Sequence, residues 1–346
     1  MPVVFKFEII GRENFPKKGP LVVVGNHSAV MEAVLMAVYS PWQVEMLGAA
    51  DIPHEKITQI FSDAFGYIPI HRGQIDRPAL QAALSVLEQG GVIGVFPEGG
   101  IWEPGSMRAQ TGVSWLSFRG EAPVLPLGFS GALGALDQAL HLKRPRLRMK
   151  VGKLIQPIEI KNGVPRKTIF ESYAEQVLAG VRELLLPDDP SLGIKIKDED
   201  FELKIELRDR NGKLREIPAE LTIQHQKALA EFLHRPAILK IFKVNLNLPM
   251  DALQNLDAEQ NPRPISEAVQ AVLDYLNQEN PYLLSYRFGP KNADAMKKGL
   301  EELLALAQWA AQQKLQLIIT PLWKFYSVQE QKEIIQIKQG AFEHWM

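Results

Sequence analysis

Short runs of consecutive apolar residues alternate with amphipathic segments through the first half of the chain. The runs Leu21–Val24, Val92–Phe96 and Ala122–Gly128 are continuous, as is typical of strands in a sheet that is covered on both faces. Met31–Tyr39 and Arg77–Gln89 have the composition or the spacing of helices. The alternation predicts an α/β fold with a mixed, largely parallel sheet flanked by helices.

Further elements complete this pattern up to the first clear linker. Residues 3–10 alternate as an edge strand does, whereas Phe65–Gly73 is predicted as a buried strand that ends at a basic residue. The remaining predicted elements are the strands Val44–Leu47 and Leu147–Val151 and the helices Ile57–Ala64, Thr111–Phe118 and Thr168–Leu186.

The segment Pro187-Asp188-Asp189-Pro190-Ser191 has the composition of a linker. It predicts a first domain over residues 1–187, a linker over 188–199 and a smaller C-terminal α/β or α+β domain over 200–346. In that domain, Asn211-Gly212 predicts the turn of a hairpin. The other elements predicted there are helices at 222–234, Ile265–Leu276 and 292–313, strands at Leu239–Leu246, Tyr282–Phe288 and Leu315–Ile319, and a closing helix.

Composition narrows the function classes. The 346 residues include no cysteine, which excludes a disulfide framework, a thiolate nucleophile and a cysteine-ligated zinc site. A net charge of −1 argues against a nucleic-acid-binding protein, which usually carries a basic excess. The N-terminus lacks a signal-peptide pattern, and no uncharged apolar stretch approaches the ~18–20 residues that span a bilayer. These features predict a cytoplasmic location, either in solution or peripherally on the inner face of the membrane.

A histidine and a carboxylate lie five residues apart where the first apolar run ends. Five residues of regular helix turn through about 500°, so the side chains of His27 and Glu32 would point about 140° apart within one helix. They can meet only if His27 lies at or before the helix start. Glu32 would then accept the ring N–H of His27, leaving the other nitrogen to take a proton. The alternative is a capping or packing histidine beside a surface carboxylate.

Three polar residues follow the ends of predicted strands. His27, Arg72 and Glu98 each come just after such a strand, and ligands of open α/β sheets bind where strand ends and their loops gather. The three residues are therefore expected to face one cleft. The alternatives are that Arg72 is a solvated strand-end residue and that Pro97–Gly100 is an ordinary tight turn. Nothing near the histidines has the spacing of a metal site, so no metal is expected.

Four short blocks stand in a fixed order along the first half of the chain. They are Asn26-His27-x-x-x-x-Glu32, Gly66-x-Ile68-Pro69-Ile70-x-Arg72, Phe96-Pro97-Glu98-Gly99 and Pro123-Val124-Leu125-Pro126-Leu127. Together they resemble the ordered blocks of the glycerolphosphate and lysophosphatidate acyltransferase family. The resemblance covers roughly residues 8–185 and does not extend to the C-terminal domain.

The resemblance implies an acyltransferase that moves a fatty acyl group from a thioester, acyl-CoA or acyl-carrier protein, to a hydroxyl of a glycerol-phosphate or lysophospholipid acceptor. It implies catalytic roles for His27 and Glu32 and a phosphate-binding role for Arg72. Glu98 would position the acceptor hydroxyls, and the Gly99-Gly100 turn would bind an anionic group or the oxyanion. The thioester is a co-substrate, and no cofactor is implied. The implied partners are the acyl donor, a lipid-like acceptor and a membrane surface, without nucleic acid.

Two departures from the family pattern keep an alternative open. Glu32 stands where the family more often has Asp, and Gly100 stands where it usually has Thr. An enzyme of the same fold with a non-phosphorylated lipid, polyol or glycan acceptor, or a non-catalytic binding protein, fits these departures. The basic segment Lys143–Lys150 has two equally good interpretations. It contacts anionic lipid headgroups, or its basic residues form the solvent-exposed face of a strand. The segment Gly128–Ala132 nearly matches a hydrolase nucleophile elbow but lacks its final glycine.

Overall fold

The computed structural model describes residues 5–50, 65–101, 109–160, 162–193, 196–246, 261–328 and 331–337. The chain divides into two compact units, Met1–Gly193 and Ile194–His344. The division falls inside the linker predicted for residues 188–199. The helix predicted at Ile57–Ala64 lies outside the described residues.

The first unit alternates strands and helices. Its strands are β1 Lys6–Ile10, β2 Leu21–Gly25, β3 Glu45–Ala49, β4 Ile68–Ile70, β5 Val92–Val95, β6 Val124–Ser130 and β7 Arg146–Val151. Its helices are α1 Met31–Tyr39, α2 Arg77–Glu88, α3 Gly112–Arg119, α4 Ala135–Leu140 and α5 Arg166–Arg182.

These strands form one sheet with the order β1-β7-β6-β2-β5-β3-β4. Every neighbouring pair in this sheet runs parallel except β6 and β7, which run antiparallel. The predicted fold class, a mixed and largely parallel sheet flanked by helices, is therefore confirmed for this unit. The prediction of an edge strand at residues 3–10 is also confirmed, since β1 is at one end of the sheet.

The central strand β2 is buried on both faces, which explains its uninterrupted apolar sequence. Leu21 and Val23 pack in one core with buried residues of α1 and α4. Val22 and Val24 pack in a second core with buried residues of α2, α3 and α5. Successive side chains of a strand point to opposite faces, so this strand joins two helical layers and its end has little freedom to move.

One predicted strand of this sheet differs from the structure. The segment Phe65–Gly73 contains only the three-residue strand β4, which is the edge opposite β1 and is exposed at Pro69. The prediction of a buried strand there is wrong. A strand is buried when strands pair with it on both sides and helices cover both faces of the sheet. β4 pairs with β3 only and so remains partly exposed.

The second unit contains a four-stranded antiparallel sheet with several helices. Its strands are β8 Ile196–Arg208, β9 Leu214–Arg215, β10 Gln316–Ser327 and β11 Lys332–Ile337, in the order β11-β10-β8-β9. Its helices are α6 Gln226–Leu233, α7 Pro236–Leu246, α8 Pro262–Asp274, α9 Leu283–Phe288 and α10 Pro290–Gln312. The α+β alternative for this part of the chain is the one observed, and the hairpin at Asn211-Gly212 is confirmed.

Three predictions for this unit are wrong. The segments Leu239–Leu246 and Tyr282–Phe288 were predicted as strands and are helical, in α7 and α9. The closing helix is replaced, up to residue 337, by β11 paired with β10. Short apolar runs do not separate a buried strand from a buried helix, and tertiary packing decides between them. In the part of the chain that the structure describes, no helix is long and apolar enough to cross a membrane.

Candidate active site

The predicted site residues lie at one edge of the first sheet. His27 comes two residues after β2, Arg72 two residues after β4, and Glu98 three residues after β5. These strands belong to the parallel part of the sheet, so their carboxyl ends share an edge. The sequence-based expectation of a common location therefore agrees with the topology.

A side-chain bridge fixes the chain where it leaves β2. The buried amide of Asn26 donates from Nδ2 to the carbonyl of Phe129 at 3.0 Å, and its Oδ1 accepts the Phe129 backbone N–H at 2.7 Å. The preceding residue must be small, because a Cβ on Gly25 would lie 2.7 Å from the Phe129 ring. Asn26 thus extends the pairing of β2 with β6 by one residue and fixes the position of His27 relative to the ends of these strands.

Glu32 is fully buried, and its carboxylate holds the loop before α1. Oε1 accepts the backbone N–H of Ser28 at 3.1 Å and its hydroxyl at 2.5 Å, and Oε2 accepts the N–H of Ala29 at 2.8 Å. The nearest approach to the ring is 3.9 Å, between His27 Nδ1 and Glu32 Oε2. This distance is too long for a hydrogen bond, so the predicted bond from the ring to Glu32 is not formed.

The imidazole of His27 is instead positioned by an aromatic ring and by its own backbone. It stacks on Phe96 with a centroid distance of 3.9 Å and an angle of 11° between the planes. The His27 N–H donates to Glu98 Oε1 at 3.2 Å. Nδ1 is buried and makes no hydrogen bond within the described residues, whereas 17% of the side chain remains exposed. The ring is therefore placed before any substrate binds.

Glu98 is the second buried carboxyl group beside His27. It is 1% exposed, and burial raises its pKa to about 7 from the ordinary 4.5. Backbone hydrogen bonds from Glu98 itself and from His27 act in the opposite direction, while the negative charge of Glu32 adds to the rise. Both protonation states of Glu98 are therefore populated near neutral pH.

Arg72 reaches the turn that carries Glu98. Its Nη1 donates to the carbonyl of Gly99 at 3.3 Å, although β3 lies between β4 and β5 in the sheet. The N–H of Gly99 is used within the turn, where it donates to the Phe96 carbonyl at 2.9 Å. The structure thus differs from the prediction for Gly99, whose N–H is not available to an anion. Both Gly99 and Gly100 have positive φ angles, of 70° and 155°, which favour glycine.

Contacts connect five of the six predicted site residues, all except Gly100, into two neighbouring groups. His27 lies against Glu32 and Glu98, and Arg72 lies against Gly99, the residue next to Glu98. Sequence reasoning missed Phe96 and Ser28, and it gave Asn26 no role. Phe96 follows Val95, and Val95 pairs with Val24, so Phe96 lies near the loop that carries His27. The sequence alone does not show this, because the pairing of β2 with β5 is known only from the strand order.

The near match to a nucleophile elbow is resolved as a packing feature. Ser130 is the last residue of β6, is 2% exposed, and its hydroxyl accepts the N–H of Leu186 at 3.1 Å. A buried hydroxyl that is used in this way secures the chain after α5. It is not the exposed serine that a hydrolase elbow requires.

Comparisons with known proteins point to one family. A family model described as Acyltransferase matches residues 6–130, the part of the chain that carries β1 to β6. The 1-acyl-sn-glycerol-3-phosphate acyltransferase of Bacillus subtilis is 18% identical over 178 residues, which cover 51% of this chain and 87% of the relative. The protein of the same name from Borreliella burgdorferi is 29% identical over 96 residues, covering 27% and 38% respectively.

Among solved structures, the 1-acyl-sn-glycerophosphate (LPA) acyltransferase PlsC of Thermotoga maritima is similar, with 20% sequence identity and a TM-score of 0.37. The similarity covers 53% of this chain and 73% of that protein. The family match includes His27, Glu32, Arg72 and Glu98. Residues 6–130 therefore match the Acyltransferase family model, and the relatives support an enzyme of the acyltransferase type that the four sequence blocks resemble.

Proposed function

We propose that this enzyme transfers a fatty acyl group from a thioester, either acyl-CoA or acyl-carrier protein, to the free hydroxyl of a 1-acylglycerol 3-phosphate. The observation that carries the proposal is the position of His27, held between two buried carboxyl groups at the strand edge that also carries Arg72. The names of the two relatives, both 1-acyl-sn-glycerol-3-phosphate acyltransferases, support the choice of acceptor.

In the proposed reaction His27 is the general base. Because Nδ1 is buried, the acceptor hydroxyl meets the ring at Nε2 and gives its proton to that nitrogen. The hydroxyl oxygen attacks the thioester carbonyl, and a new C–O bond forms. The tetrahedral intermediate then collapses, the C–S bond breaks, and the imidazolium returns the proton to the leaving thiolate. The products are an ester and a free thiol, which balances the reaction.

Glu32 acts on this cycle through its charge. Its Oε2 lies 3.9 Å from Nδ1, where a full negative charge stabilises the imidazolium without a hydrogen bond. The three hydrogen bonds from residues 28 and 29 fix the position of this carboxylate. Glu32 therefore has two roles, since it also shapes the loop that carries the base.

Arg72 and Glu98 bind the acceptor in this proposal. A guanidinium offers several donors in one plane and suits a phosphate monoester, and the carbonyl of Gly99 aims it at the site. Glu98 contacts the acceptor hydroxyls and, through the His27 backbone, holds the base in place. The N–H of Gly100 remains as the candidate donor of this turn to the oxyanion.

Replacing His27 with alanine tests the reaction itself. We expect the release of free thiol from acyl-CoA with 1-acylglycerol 3-phosphate to fall about 10²–10⁴-fold, because the general base is lost. His141→Ala, at an exposed histidine that follows α4, is the matched control and keeps the wild-type rate. If wild type releases thiol no faster than His27→Ala, the protein binds substrates without turnover and the proposal fails.

Replacing Arg72 with alanine tests the phosphate of the acceptor. We expect kcat/KM for 1-acylglycerol 3-phosphate to fall about 10–100-fold, the usual effect of losing charge-assisted hydrogen bonds. The rate with a monoacylglycerol, which lacks the phosphate, stays unchanged. Arg77→Ala, at the exposed start of α2, is the control. An equal loss for both acceptors, or a wild-type enzyme that uses only neutral acceptors, contradicts the phosphate-binding role.

The two roles of Glu32 are separable by a pair of variants. Glu32→Gln removes the charge, and we expect kcat to fall about 10–100-fold. Ser28→Ala removes one hydrogen bond to Glu32 but leaves its charge, so kcat falls less than about fivefold. Thermal unfolding of both variants measures the effect on the loop. A Glu32→Gln enzyme with unchanged kcat and a lower Tm would mean that the carboxylate only holds the loop.

The raised pKa of Glu98 predicts a pH-dependent stability. The folded state binds more protons than the unfolded state between pH 4.5 and about 7, so the contribution of Glu98 to stability declines as the pH rises through this range. Glu98→Gln has no such decline. We expect its unfolding free energy, relative to wild type, to rise by about 2–3 kcal/mol between pH 5 and pH 8. Urea unfolding at the two pH values measures the difference.

The control for this titration is Glu88→Gln at the exposed end of α2, whose difference from wild type stays constant with pH. A Glu98→Gln difference that also stays constant would show that Glu98 is ionised throughout the range.

A further inference from the structure

A second surface lies at the end of the sheet that carries the site, because β7 runs antiparallel to β6. Because β6 runs parallel to β2 and β7 runs antiparallel to β6, the start of β7 lies at the edge where β2 ends. The strand β1 is parallel to β7, so Lys6 starts at this edge too, opposite Arg146. The connection between β6 and β7, residues 131–145, therefore lies at the same edge as His27.

Two leucines of this connection point into solvent. Leu140 is 65% exposed and Leu142 is 85% exposed. Leu142 also has a φ of 57°, in the left-handed region that is costly for a residue with a branched side chain. Folding alone favours a glycine or a polar residue at such a position. The positive φ belongs to the end of α4, where the Leu142 N–H donates to the Ala139 carbonyl and the Lys143 N–H donates to the Gln138 carbonyl. This helix end holds the Leu142 side chain in solvent.

Basic side chains surround the two leucines. Lys143, Arg144 and Arg146 are exposed, and Lys6 lies beside Arg146 in the register of β1 and β7. Further along the same face of β7 are Arg148 and Lys150, which are partly exposed. The acidic residues of this region include Asp137, Glu8 and the buried Asp189, which accepts the N–H of Gly131 at 3.0 Å. Because the whole chain has a net charge of −1, the basic residues at this edge form a local positive surface.

A cleft of about 320 Å³ opens within this surface. It is lined by Lys6, Glu8, Ser130, Arg146, Arg148 and Leu186, among others. The buried Nε of Arg148 makes no hydrogen bond in the described part of the chain. A guanidinium with an unused donor beside two further cations suits an oxygen-rich anion such as a phosphate. The carboxylates of Glu8, in the lining, and of Asp189, behind Gly131, offset part of the charge of Lys6, Arg146 and Arg148.

We propose that this surface docks the enzyme on a bilayer that contains anionic lipids. We call it the docking edge, defined by Lys6, Leu140, Leu142, Lys143, Arg146 and Arg148. The leucines enter the boundary between headgroups and acyl chains, and the basic residues contact the headgroup phosphates. The cleft at Arg148 receives one of these phosphates. Exposed apolar side chains ringed by basic ones are the combination that binds the headgroup region of an anionic bilayer.

The docking edge adds a membrane-binding surface to the proposed function. Its biological role depends on that function, because an enzyme with a membrane-embedded acceptor needs to bind a bilayer. A lysophospholipid acceptor resides in a membrane, and the docking edge lies at the end of the sheet where β2 ends and His27 follows. An enzyme docked in this way meets its acceptor without removing it from the bilayer. The docking itself requires no catalysis, so it can be measured separately from the reaction.

Sedimentation with vesicles tests this inference on the full chain. The probes are vesicles of phosphatidylcholine alone and of phosphatidylcholine with 30% phosphatidylglycerol, a composition chosen for the assay. We expect binding to the anionic vesicles that falls about tenfold or more for Leu140→Ser/Leu142→Ser. It falls about fivefold for each charge lost in Lys143→Gln and Arg146→Gln. Leu214→Ser and Lys213→Gln, at exposed positions of the second unit, are the matched controls and bind as wild type does.

Three results would overturn the proposal. One is wild-type binding that does not distinguish the two vesicle compositions, and another is equal loss in the Leu140/Leu142 and Leu214 variants. The third is unchanged vesicle binding in the Lys143 and Arg146 variants together with a raised KM for acyl-carrier protein, which would assign the charges to that protein. Equal Tm values for all variants exclude misfolding. An inactive protein that still binds anionic vesicles would disprove the proposed function and leave the docking edge intact.

Discussion

The burial of two carboxyl groups beside one histidine is the constraint on which this site depends. An ionised carboxylate is stable in a protein interior only when its oxygens are hydrogen-bonded or a charge lies nearby. Both oxygens of Glu32 accept hydrogen bonds from residues 28 and 29, whereas burial raises the pKa of Glu98 to about 7. The loop after β2 and the turn after β5 are joined by the bond from His27 to Glu98. If either segment shifted, the bond from the His27 N–H to Glu98 Oε1 would break and leave that carboxyl oxygen without this donor.

Much of the first unit could be predicted from the sequence because its signals are local. Val92–Phe96 and Leu21–Val24 are apolar throughout since both faces of their strands are covered, and α1 begins and ends where its composition changes. The position of His27 between strand and helix was predicted from the apolar run that ends at Gly25-Asn26, and helix geometry showed that only this position lets His27 meet Glu32. The four residues named for the site lie at one sheet edge because parallel strands end together.

What could not be predicted depends on pairing between distant segments. The sequence allows His27 and Glu32 to meet if His27 precedes the helix, but the spacing does not reveal the partners of Glu32. These are the backbone N–H groups of Ser28 and Ala29 and the Ser28 hydroxyl. The stacking of Phe96 on His27 requires the register of β2 with β5. The same limit explains α7, where Ile238, Leu239 and Phe242 are buried at helical spacing in a segment rich in residues that favour strands.

The edge position of β1 also governs the order in which this sheet can form. Lys6 pairs with Arg146, which follows it by 140 residues, and β7 is the neighbour of β1 in the sheet. During synthesis β1 has no partner in this sheet until β7, the strand that follows α4, has emerged. Closing so long a loop is costly in entropy and slow, so β1 joins the sheet last. Until then its backbone donors and acceptors are open to other chains, and the charges of Lys6 and Glu8 on its exposed side limit such pairing.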